Sequence, residues 1–232
     1  MKISFVIPSH ECAAWLPQAV ESVLAQTHKD VECIIVNDGS TDSTKQYLDW
    51  LKKKHPEVKV HNHDKPLGRS MARNRGNSMA SGDVICVLDA DDLAVPRRAE
   101  WMVQAFSNGA EFVYGSAVQM DSVGKALGKI IAEPFSLEKA LDTKVNRIVH
   151  STVAYTKKLA LDYPYKEGDV SDLGIDDWAQ QIMIACAGHK LTMEPKVVCA
   201  YRILETAIST TRDEDAVKKF KESYLNALKV SV

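Results

Sequence analysis

The sequence has few of the features that build disulfide scaffolds. Its 232 residues include five cysteines, an odd number, and no two of them have CxxC spacing. Cys33 and Cys86 lie within apolar runs, where cysteine behaves as a small hydrophobic residue. We therefore expect reduced thiols in a cytoplasmic protein at all five positions, which are 12, 33, 86, 186 and 199.

Long apolar segments are also missing. No stretch reaches the roughly 18 uninterrupted apolar residues that a membrane-spanning helix needs. The N-terminal stretch MKISFVIPSHE has one lysine and an apolar run that stops at Pro8, which is typical of neither a signal peptide nor a membrane span. We expect no transmembrane segment, and a peripheral attachment to the inner face of a membrane stays open.

Charge of one sign is not in excess. The chain carries 29 basic and 31 acidic residues, a net charge of −2, which predicts no general nucleic-acid-binding surface. Hydrophobic residues make up 45%, as in soluble globular proteins, and the length fits one large domain. Because no repeat, linker or low-complexity tract divides the sequence, we expect a single domain over residues 1–232.

The first half alternates between short β-branched runs and segments whose apolar residues have helical spacing. The predicted strands are Ile3–Ile7, Val31–Val36, Val58–His61, Asp83–Leu88 and Glu111–Tyr114. The predicted helices are Trp15–Gln26, Thr41–Lys54 with Ser40 or Thr41 as its cap, Ser70–Ala80 and Arg97–Ser107. This alternation predicts an α/β fold with a Rossmann-like, mixed but mainly parallel sheet flanked by helices.

The second half has a less regular pattern. It predicts a hairpin over Val118–Ile131, strands at Ser151–Thr156 and within Leu191–Tyr201, and helices at Ser136–Leu141, Ile175–Ala187 and Asp213–Val230. The last helix carries lysines at positions 218, 219, 221 and 229, for which we expect a solvated face.

Three polar turns follow predicted strands: PSHE, NDGSTD and DADD. Ligands of such sheets bind outside the carboxyl ends of the strands, so we expect these turns to converge. Asp89, Asp91 and Asp92 repel one another unless a cation neutralises them, and a hard divalent ion with oxygen ligands would also bridge phosphate oxygens. A solvated acidic turn is an equally good interpretation of these four residues alone.

The second turn and the segment after the third strand add candidates for ligand contacts. Gly39 permits a tight turn, while Asp38 ends a strand and can accept a hydrogen bond from a base N–H such as uracil N3. Arginines at 69, 73 and 75 surround a predicted helix start, and Arg69 and Arg73 share one helix face. Arginine suits bidentate phosphate contacts, although a solvated basic face is the favoured interpretation of this cluster when it is taken alone.

The combination is more specific than its parts. IPSHE, VNDGSTDST, GRSMARNRG and VLDADD, in this order and spacing, resemble the IPTYN, VDDGSTD, ARNxG and LDxDD segments of family 2 glycosyltransferases of GT-A fold. The resemblance is clear over residues 1 to about 100 and looser to about 210, through IVHSTVAYTKK, GIDDWAQQI and AYRILETAIST.

The resemblance implies roles by position. Donor-binding residues would be Pro8, His10, Glu11, Asp38, Arg69, Arg73, Asp89, Ala90, Asp91 and Arg202, with Asp38 reading the base. Asp91 would ligate Mn²⁺ or Mg²⁺, and Asp89 is the second candidate ligand. Residues 1–115 would form the half that binds the nucleotide sugar, and residues 116–232 the half that binds the acceptor.

The pair Asp176-Asp177 matches the acidic pair at a helix start of this family. Asp177 would be the general base of an inverting transfer, while helix capping is the structural alternative. Asp176 and Trp178 would contact the acceptor; the Trp178 ring is interpreted equally well as a stacking platform for a sugar or as a core residue.

One departure concerns the metal. Many relatives have YRxH where this chain reads Tyr201-Arg202-Ile203-Leu204, so Leu204 replaces a histidine that can help hold the metal or diphosphate. His150 is a candidate substitute, although a buried, hydrogen-bonded histidine is the simpler interpretation.

The resemblance implies a metal-dependent inverting glycosyltransferase. We expect a UDP-sugar donor ahead of dTDP- or GDP-sugars, whereas the acceptor, which could be a glycan, a lipid-linked glycan, a protein or a small molecule, and the oligomeric state stay open. A non-catalytic nucleotide-sugar-binding module is the first alternative, supported by Leu204. A sugar-phosphate nucleotidyltransferase is less favoured, because PSHECAAWLPQ lacks the glycine-rich loop of that class.

Overall fold

A computed structural model describes residues 1–141, 148–168, 172–205 and 213–230, with side chains as far as residue 224 in the last segment. Its strands are β1 Ile3–Ser9, β2 Val31–Asp38, β3 Lys59–His63, β4 Val84–Val87, β5 Leu93–Ala94, β6 Phe112–Met120, β7 Ala126–Ile130, β8 Ala154–Thr156 and β9 Leu191–Arg202. Its helices are α1 Leu16–Leu24, α2 Thr44–Lys54, α3 Arg69–Met79, α4 Arg98–Ser107, α5 Leu137–Leu141, α6 Lys157–Asp162, α7 Asp176–Cys186 and α8 Glu214–Val230, and a 3-10 turn covers His150–Thr152.

All nine strands belong to one sheet, in the order β3-β2-β1-β4-β8-β6-β9-β5, with β7 paired to β6. The first four strands run parallel, as the βα alternation predicts. Strand β8 is antiparallel to both β4 and β6, and β6 runs parallel to β9. The predicted mixed α/β sheet is confirmed.

Helices cover both faces of the sheet. Alternate residues of β1 separate the two sides: Phe5 packs in the core with α1, α2 and α4, whereas Val6 packs in the core with α6 and α7. Helix α3 lies on the Val6 side, because a Cβ added to Gly76 would sit 2.3 Å from Val6 Cγ1. A third apolar cluster joins α5, α7 and α8.

Several predicted boundaries are wrong for identifiable reasons. Helix α2 begins at Thr44 and not at Thr41, because Asp42 accepts hydrogen bonds from the backbone N–H groups of Thr44 and Ala13 and thereby prolongs the preceding turn. The pattern of Leu191–Tyr201 allows one or two strands; the region forms one, Leu191–Arg202, whose register with β6 shifts near Pro195. Strand β5 has only two residues and helix α6 only six, so neither was predicted.

The solvated face expected for the lysines of α8 is confirmed at Lys218 and Lys219, which are exposed, but is wrong at Lys221. Lys221 is 3% exposed, and its Nζ lies 4.8 Å from the centre of the Trp178 ring. Its aliphatic stem therefore packs inside the cluster of α7 and α8. Among the described residues, no helix combines the length and apolar character that crossing a membrane requires.

Candidate active site

A cavity of about 1130 Å³ opens at the carboxyl ends of β1, β2 and β4. The three polar turns converge there, and α3, α7 and the end of β9 complete the walls. Twelve of the thirteen predicted site residues line the cavity: Pro8, His10, Asp38, Arg69, Arg73, Asp89, Ala90, Asp91, Asp176, Asp177, Trp178 and Arg202.

Glu11, the thirteenth, is not among the residues that line the cavity, and its predicted contact with the nucleoside stays a prediction. Its Oε1 accepts hydrogen bonds from the Thr41 backbone N–H at 2.6 Å and the Thr41 hydroxyl at 3.0 Å, and its own N–H donates to the Ser40 hydroxyl. The residue has φ +51°, a conformation uncommon outside glycine. Glu11 thus ties the turn after β1 to the turn after β2.

Asp38 is held from three sides at the end of β2. Its Oδ1 accepts from His63 Nδ1 at 2.7 Å and from the Leu67 N–H at 2.9 Å, and its Oδ2 accepts from the Gly68 N–H at 2.8 Å. The His10 ring lies beside it, with Nδ1 2.7 Å from the Asp38 carbonyl oxygen. The carboxylate is therefore fixed in orientation where it meets the cavity.

Arg73 joins the two ends of the cavity. The guanidinium is 5% exposed and donates from Nη1 to Asp176 Oδ2 at 2.5 Å and from Nη2 to Asp89 Oδ1 at 2.7 Å. Burial opposes ionisation of Asp89, but the Arg73 charge lowers the pKa of that carboxyl. The Arg73 guanidinium, which was predicted to contact the donor, thus already bridges two carboxylates. The Arg69 side chain also lies near this pair, with Nε 3.7 Å from Asp176 Oδ1.

The same ion pair gives Asp176 a structural role. This residue is 1% exposed, and the Arg73 and Arg69 side chains surround its carboxylate. Asp176 therefore anchors the start of α7 to α3, and its predicted contact with the acceptor stays a prediction.

The carboxyl groups of the acidic turn, Asp89, Asp91 and Asp92, lie in different environments. Burial and the neighbouring Asp89 raise the pKa of Asp91 to about 6. Asp92 is fully buried, its Oδ1 accepts from the Arg202 N–H at 2.7 Å, and burial together with Asp91 raises its pKa well above the usual range. Asp89 and Asp91 are therefore the pair that faces the cavity.

This pair fits a hard divalent cation. The proximity of Asp89 makes ionisation of Asp91 unfavourable, and a cation between the two carboxylates would remove that cost. Among the described residues no cluster of three or more His, Cys, Asp or Glu side chains is arranged to hold a metal ion. Mg²⁺ and similar ions commonly bind through one or two carboxylates and fill their other positions with water and substrate phosphates.

The Arg202 side chain is hydrogen-bonded to the backbone of the acidic turn. Its Nε donates to the Asp91 carbonyl at 2.8 Å, its Nη1 to the carbonyls of Asp121 and Ser122, and its Nη2 to Gln18 Oε1 at 2.8 Å. With 1% exposure, the guanidinium is used mainly within the protein. This geometry gives Arg202 a structural role, and the predicted contact with a diphosphate stays a prediction.

Asp177 and Trp178 lie at the first turn of α7. Burial and the Asp176 charge raise the pKa of Asp177 to about 6, and its Oδ1 accepts from the Trp178 N–H. The Trp178 ring is 1% exposed, donates from Nε1 to the Ala140 carbonyl and packs against Tyr224. Its burial supports the interpretation as a core residue, and the predicted contact with the acceptor stays a prediction.

His150 is a buried neutral histidine. Burial, reinforced by the Arg73 charge, lowers its pKa to about 3, and its Nε2 lies 2.9 Å from the Tyr165 hydroxyl. Leu204 lies two residues beyond the end of β9. The expected buried, hydrogen-bonded histidine agrees with this arrangement.

Sequence reasoning missed two residues that organise the site. His63 was not singled out because its contact with Asp38 depends on the register of β3 against β2. Arg98 is fully buried and donates to the carbonyls of Val87, Ser151 and Val153, which joins β4 to the segment before β8. An arginine at a predicted helix start gave no signal of such burial.

The sequence model of glycosyl transferase family 2 matches residues 4–162, more than half of the chain. The chain belongs to glycosyl transferase family 2. The match contains the turns that carry Asp38, Asp89 and Asp91 and ends before Asp177. The family 2 assignment expected from the four sequence segments is thus confirmed.

Curated relatives of this family 2 chain include bacterial and archaeal proteins. It is 39% identical over 106 residues to an uncharacterized glycosyltransferase of Nostoc sp., covering 46% of this chain and 33% of the relative. It is 30% identical over 148 residues to glycosyltransferase GlyG of Streptococcus pneumoniae, covering 62% and 49%. An uncharacterized glycosyltransferase of Methanocaldococcus jannaschii is 25% identical over 207 residues, which cover 87% of this chain and 70% of the relative. The chain spans less than half the length of the first two.

Solved structures share the fold of this family 2 chain. Staphylococcus aureus TarS in complex with UDP has a TM-score of 0.68 at 17% identity, covering 88% of this chain and 61% of TarS. The mannosyltransferase PcManGT from Pyrobaculum calidifontis, in complex with GDP-Man and Mn²⁺, has a TM-score of 0.65 at 17% identity, covering 89% and 58%. The chain therefore has the GT-A fold.

Proposed function

We propose that this chain transfers a sugar from a nucleotide-diphosphate sugar to an acceptor hydroxyl, with inversion at the anomeric carbon. A UDP-sugar is the favoured donor. The observation that carries the proposal is that one cavity brings together the fixed Asp38 carboxylate, the Asp89–Asp91 pair and Asp177. The nucleotides named with TarS and PcManGT support a nucleotide-sugar donor.

The donor lies, in this proposal, across the half formed by residues 1–115. Asp38 accepts a hydrogen bond from the base, and Pro8 and His10 flank the nucleoside. Arg69, whose side chain is 27% exposed and lines the cavity, is the arginine proposed to meet the diphosphate. The half formed by residues 116–232 shapes the acceptor end.

Mn²⁺ or Mg²⁺ would be held by Asp91 together with Asp89. The proximity of these two carboxyl groups in the cavity wall supports such a site. When bound, the ion stabilises the charge that develops on the leaving nucleoside diphosphate. Arg73 keeps Asp89 ionised and oriented, and Arg202 holds the Asp91 backbone, so both carboxylates are positioned before the donor arrives.

Asp177 is the proposed general base. A base must be ionised near neutral pH and yet have enough affinity for the proton of the acceptor hydroxyl. A pKa of about 6, raised by burial and Asp176, meets both needs. Asp177 would accept this proton as the hydroxyl oxygen attacks the anomeric carbon from the face opposite the leaving diphosphate.

A donor panel tests the proposal. The protein is incubated with UDP-, dTDP- and GDP-sugars and Mn²⁺, with and without added pyrophosphate, and nucleoside diphosphate and nucleoside triphosphate are measured separately. Release of nucleoside diphosphate, with transfer or slow hydrolysis, is the expected result. Formation of nucleoside triphosphate and sugar 1-phosphate, only when pyrophosphate is added, would indicate a nucleotidyltransferase. Binding without any turnover would indicate a binding module, the alternative that Leu204 supports.

A further inference from the structure

His63 lies directly beside the carboxylate that the donor base is proposed to meet. It is the last residue of β3, and the parallel register of β2 and β3 pairs it with Asp38. The two side chains are 8% and 6% exposed, and the distance from His63 Nδ1 to Asp38 Oδ1 is 2.7 Å. No part of the donor is needed to form this contact.

The protons of this contact can be assigned. An ionised carboxylate only accepts hydrogen bonds, so His63 must carry a proton on Nδ1. Oδ1 already accepts from His63 and from the Leu67 N–H, which occupies both of its lone pairs. Oδ2 accepts from the Gly68 N–H and keeps one lone pair. Asp38 can therefore offer a single acceptor direction to a ligand.

We propose that His63 is a positioning residue that fixes Asp38 for a base with a ring N–H group and thereby sets the base selectivity of the donor site. The inference rests on the proposed binding of a nucleotide at Asp38. Uracil presents N3–H to the free lone pair, whereas cytosine presents a bare N3 and would place two acceptors against each other. Unmatched buried polar groups give strong discrimination between such ligands.

Loss of the His63 contact would relax this discrimination. Without the imidazole, Oδ1 regains a lone pair and the carboxylate is held only by the two backbone N–H groups of Leu67 and Gly68. A carboxylate that can rotate can accept from the exocyclic amino group of cytosine. The ratio of UDP to CDP affinity should fall, because UDP binds less tightly while CDP loses little or gains.

The chain offers matched variants for the test. His63→Ala removes the donor, and His63→Asn places an amide N–H near the position of Nδ1. His61→Ala is the control, because His61 lies on the same strand and touches the His63 ring edge-on, 5.2 Å between ring centres, without a hydrogen bond to Asp38. Calorimetry with UDP and CDP, in the presence of Mn²⁺, measures both affinities for each folded variant.

We expect His63→Ala to lower the ratio of UDP to CDP affinity about tenfold, and His63→Asn to restore most of it. His61→Ala should leave the ratio unchanged. An unchanged ratio in His63→Ala, with UDP still bound by the unmodified protein, would overturn the role of His63 alone. Failure of the unmodified protein to bind UDP would instead contradict the proposed function.

A second measurement does not depend on any ligand. The ¹⁵N chemical shifts of labelled histidine rings distinguish a protonated ring nitrogen from a bare one. We expect His63, assigned by comparison with His63→Ala, to carry a proton on Nδ1 at neutral pH, and the signal to change in Asp38→Asn. A bare Nδ1 would overturn the proposed hydrogen bond.

Discussion

At the scale of single residues, Asp177 has an environment that opposes its ionisation. It is adjacent to Asp176, and burial and that neighbour raise its pKa to about 6. A carboxyl group whose pKa is raised by folding makes the folded state less stable wherever the group is ionised. This loss of folding stability has a functional reason if the raised proton affinity of Asp177 serves proton transfer.

Replacement of Asp177 by asparagine should abolish transfer and increase stability at the same time. The folded pKa lies above the value near 3.8 of an unfolded aspartate, so the wild type loses stability as pH rises from about 4 to 6. The introduced amide is neutral throughout, and the variant should gain on the order of 1–3 kcal/mol in free energy of unfolding at pH 7, with no gain below pH 4. Denaturant unfolding at both pH values measures this.

Two results would contradict that prediction in different ways. Normal turnover in Asp177→Asn would exclude Asp177 as the base. A less stable variant at pH 7, by about 0.3–1 kcal/mol, would indicate that Asp177 mainly stabilises the positive end of the α7 dipole.

The rate of transfer should depend on pH through the same group. Because the base acts in its ionised form, kcat should fall about tenfold per pH unit below pH 6 and level off above it. Saturating donor and acceptor keep binding from contributing. A rate that stays constant from pH 4.5 to 8 would contradict a titrating base in the bound complex.

Asp91→Ala should weaken the binding of UDP specifically in the presence of Mn²⁺. The variant removes the carboxylate that faces the cavity beside Asp89 but leaves the Arg202 contact to the residue 91 backbone. Calorimetry with Mn²⁺ and with EDTA separates the contribution of the metal. Equal UDP affinity of variant and wild type in Mn²⁺ would contradict the assigned metal site.

The sequence predicted those side chains whose position follows from strand ends. Asp38 and Asp89 reach the cavity because Asp38 is the last residue of β2 and Asp89 follows β4 in a parallel sheet. It did not predict partners that are distant in the chain. Arg202 meets Gln18 and the Asp121 carbonyl, and such burial depends on how β9 packs, which no local pattern encodes.

At the scale of elements, α3 carries arginines into the cavity only because it packs closely on β1. A Cβ on Gly76 would lie 2.3 Å from Val6 Cγ1, a distance that side chains do not tolerate. This close approach explains a glycine inside a helix, where it otherwise costs about 1 kcal/mol relative to alanine. Arg69 and Arg73 depend on it for their position.

Gly76→Ala should therefore destabilise the protein, by roughly 1–3 kcal/mol or more. Val6→Ala removes the methyl group that the new Cβ would meet, so the double variant should be less destabilised than the sum of the two single variants. Thermal unfolding of all four proteins gives the coupling energy. Strict additivity would show that Gly76 and Val6 are not in contact.

The sequence located most elements but not their ends. Long apolar runs such as β1 and β2 follow directly from composition, and the hairpin of β6 and β7 from its turn residues. Strand β5 was missed because two residues have no periodicity, and it exists through the pairing of Leu93 with Ala200. The start of α2 was missed because Asp42 binds a neighbouring turn as well as its own helix.

At the scale of the whole molecule, the parallel half of the sheet and the mixed half meet along one cavity. Donor contacts are proposed on one side and the base Asp177 on the other, and the buried ion pairs of Arg73 with Asp89 and Asp176 connect the two sides. Residues 1–115, which contain the clear resemblance to the family, were predicted well from the sequence. The acceptor half was predicted less well because its cluster of α5, α7 and α8 forms through distant contacts.

The most direct test of this account is a calorimetric titration of the protein with UDP, with and without Mn²⁺. We expect one site per chain, tighter binding when Mn²⁺ is present, and a clear loss of affinity in Asp38→Asn, which presents an amide where the base needs a fixed acceptor. Absence of UDP binding under both conditions, in protein shown to be folded, would contradict the proposal that this cavity binds a UDP-sugar.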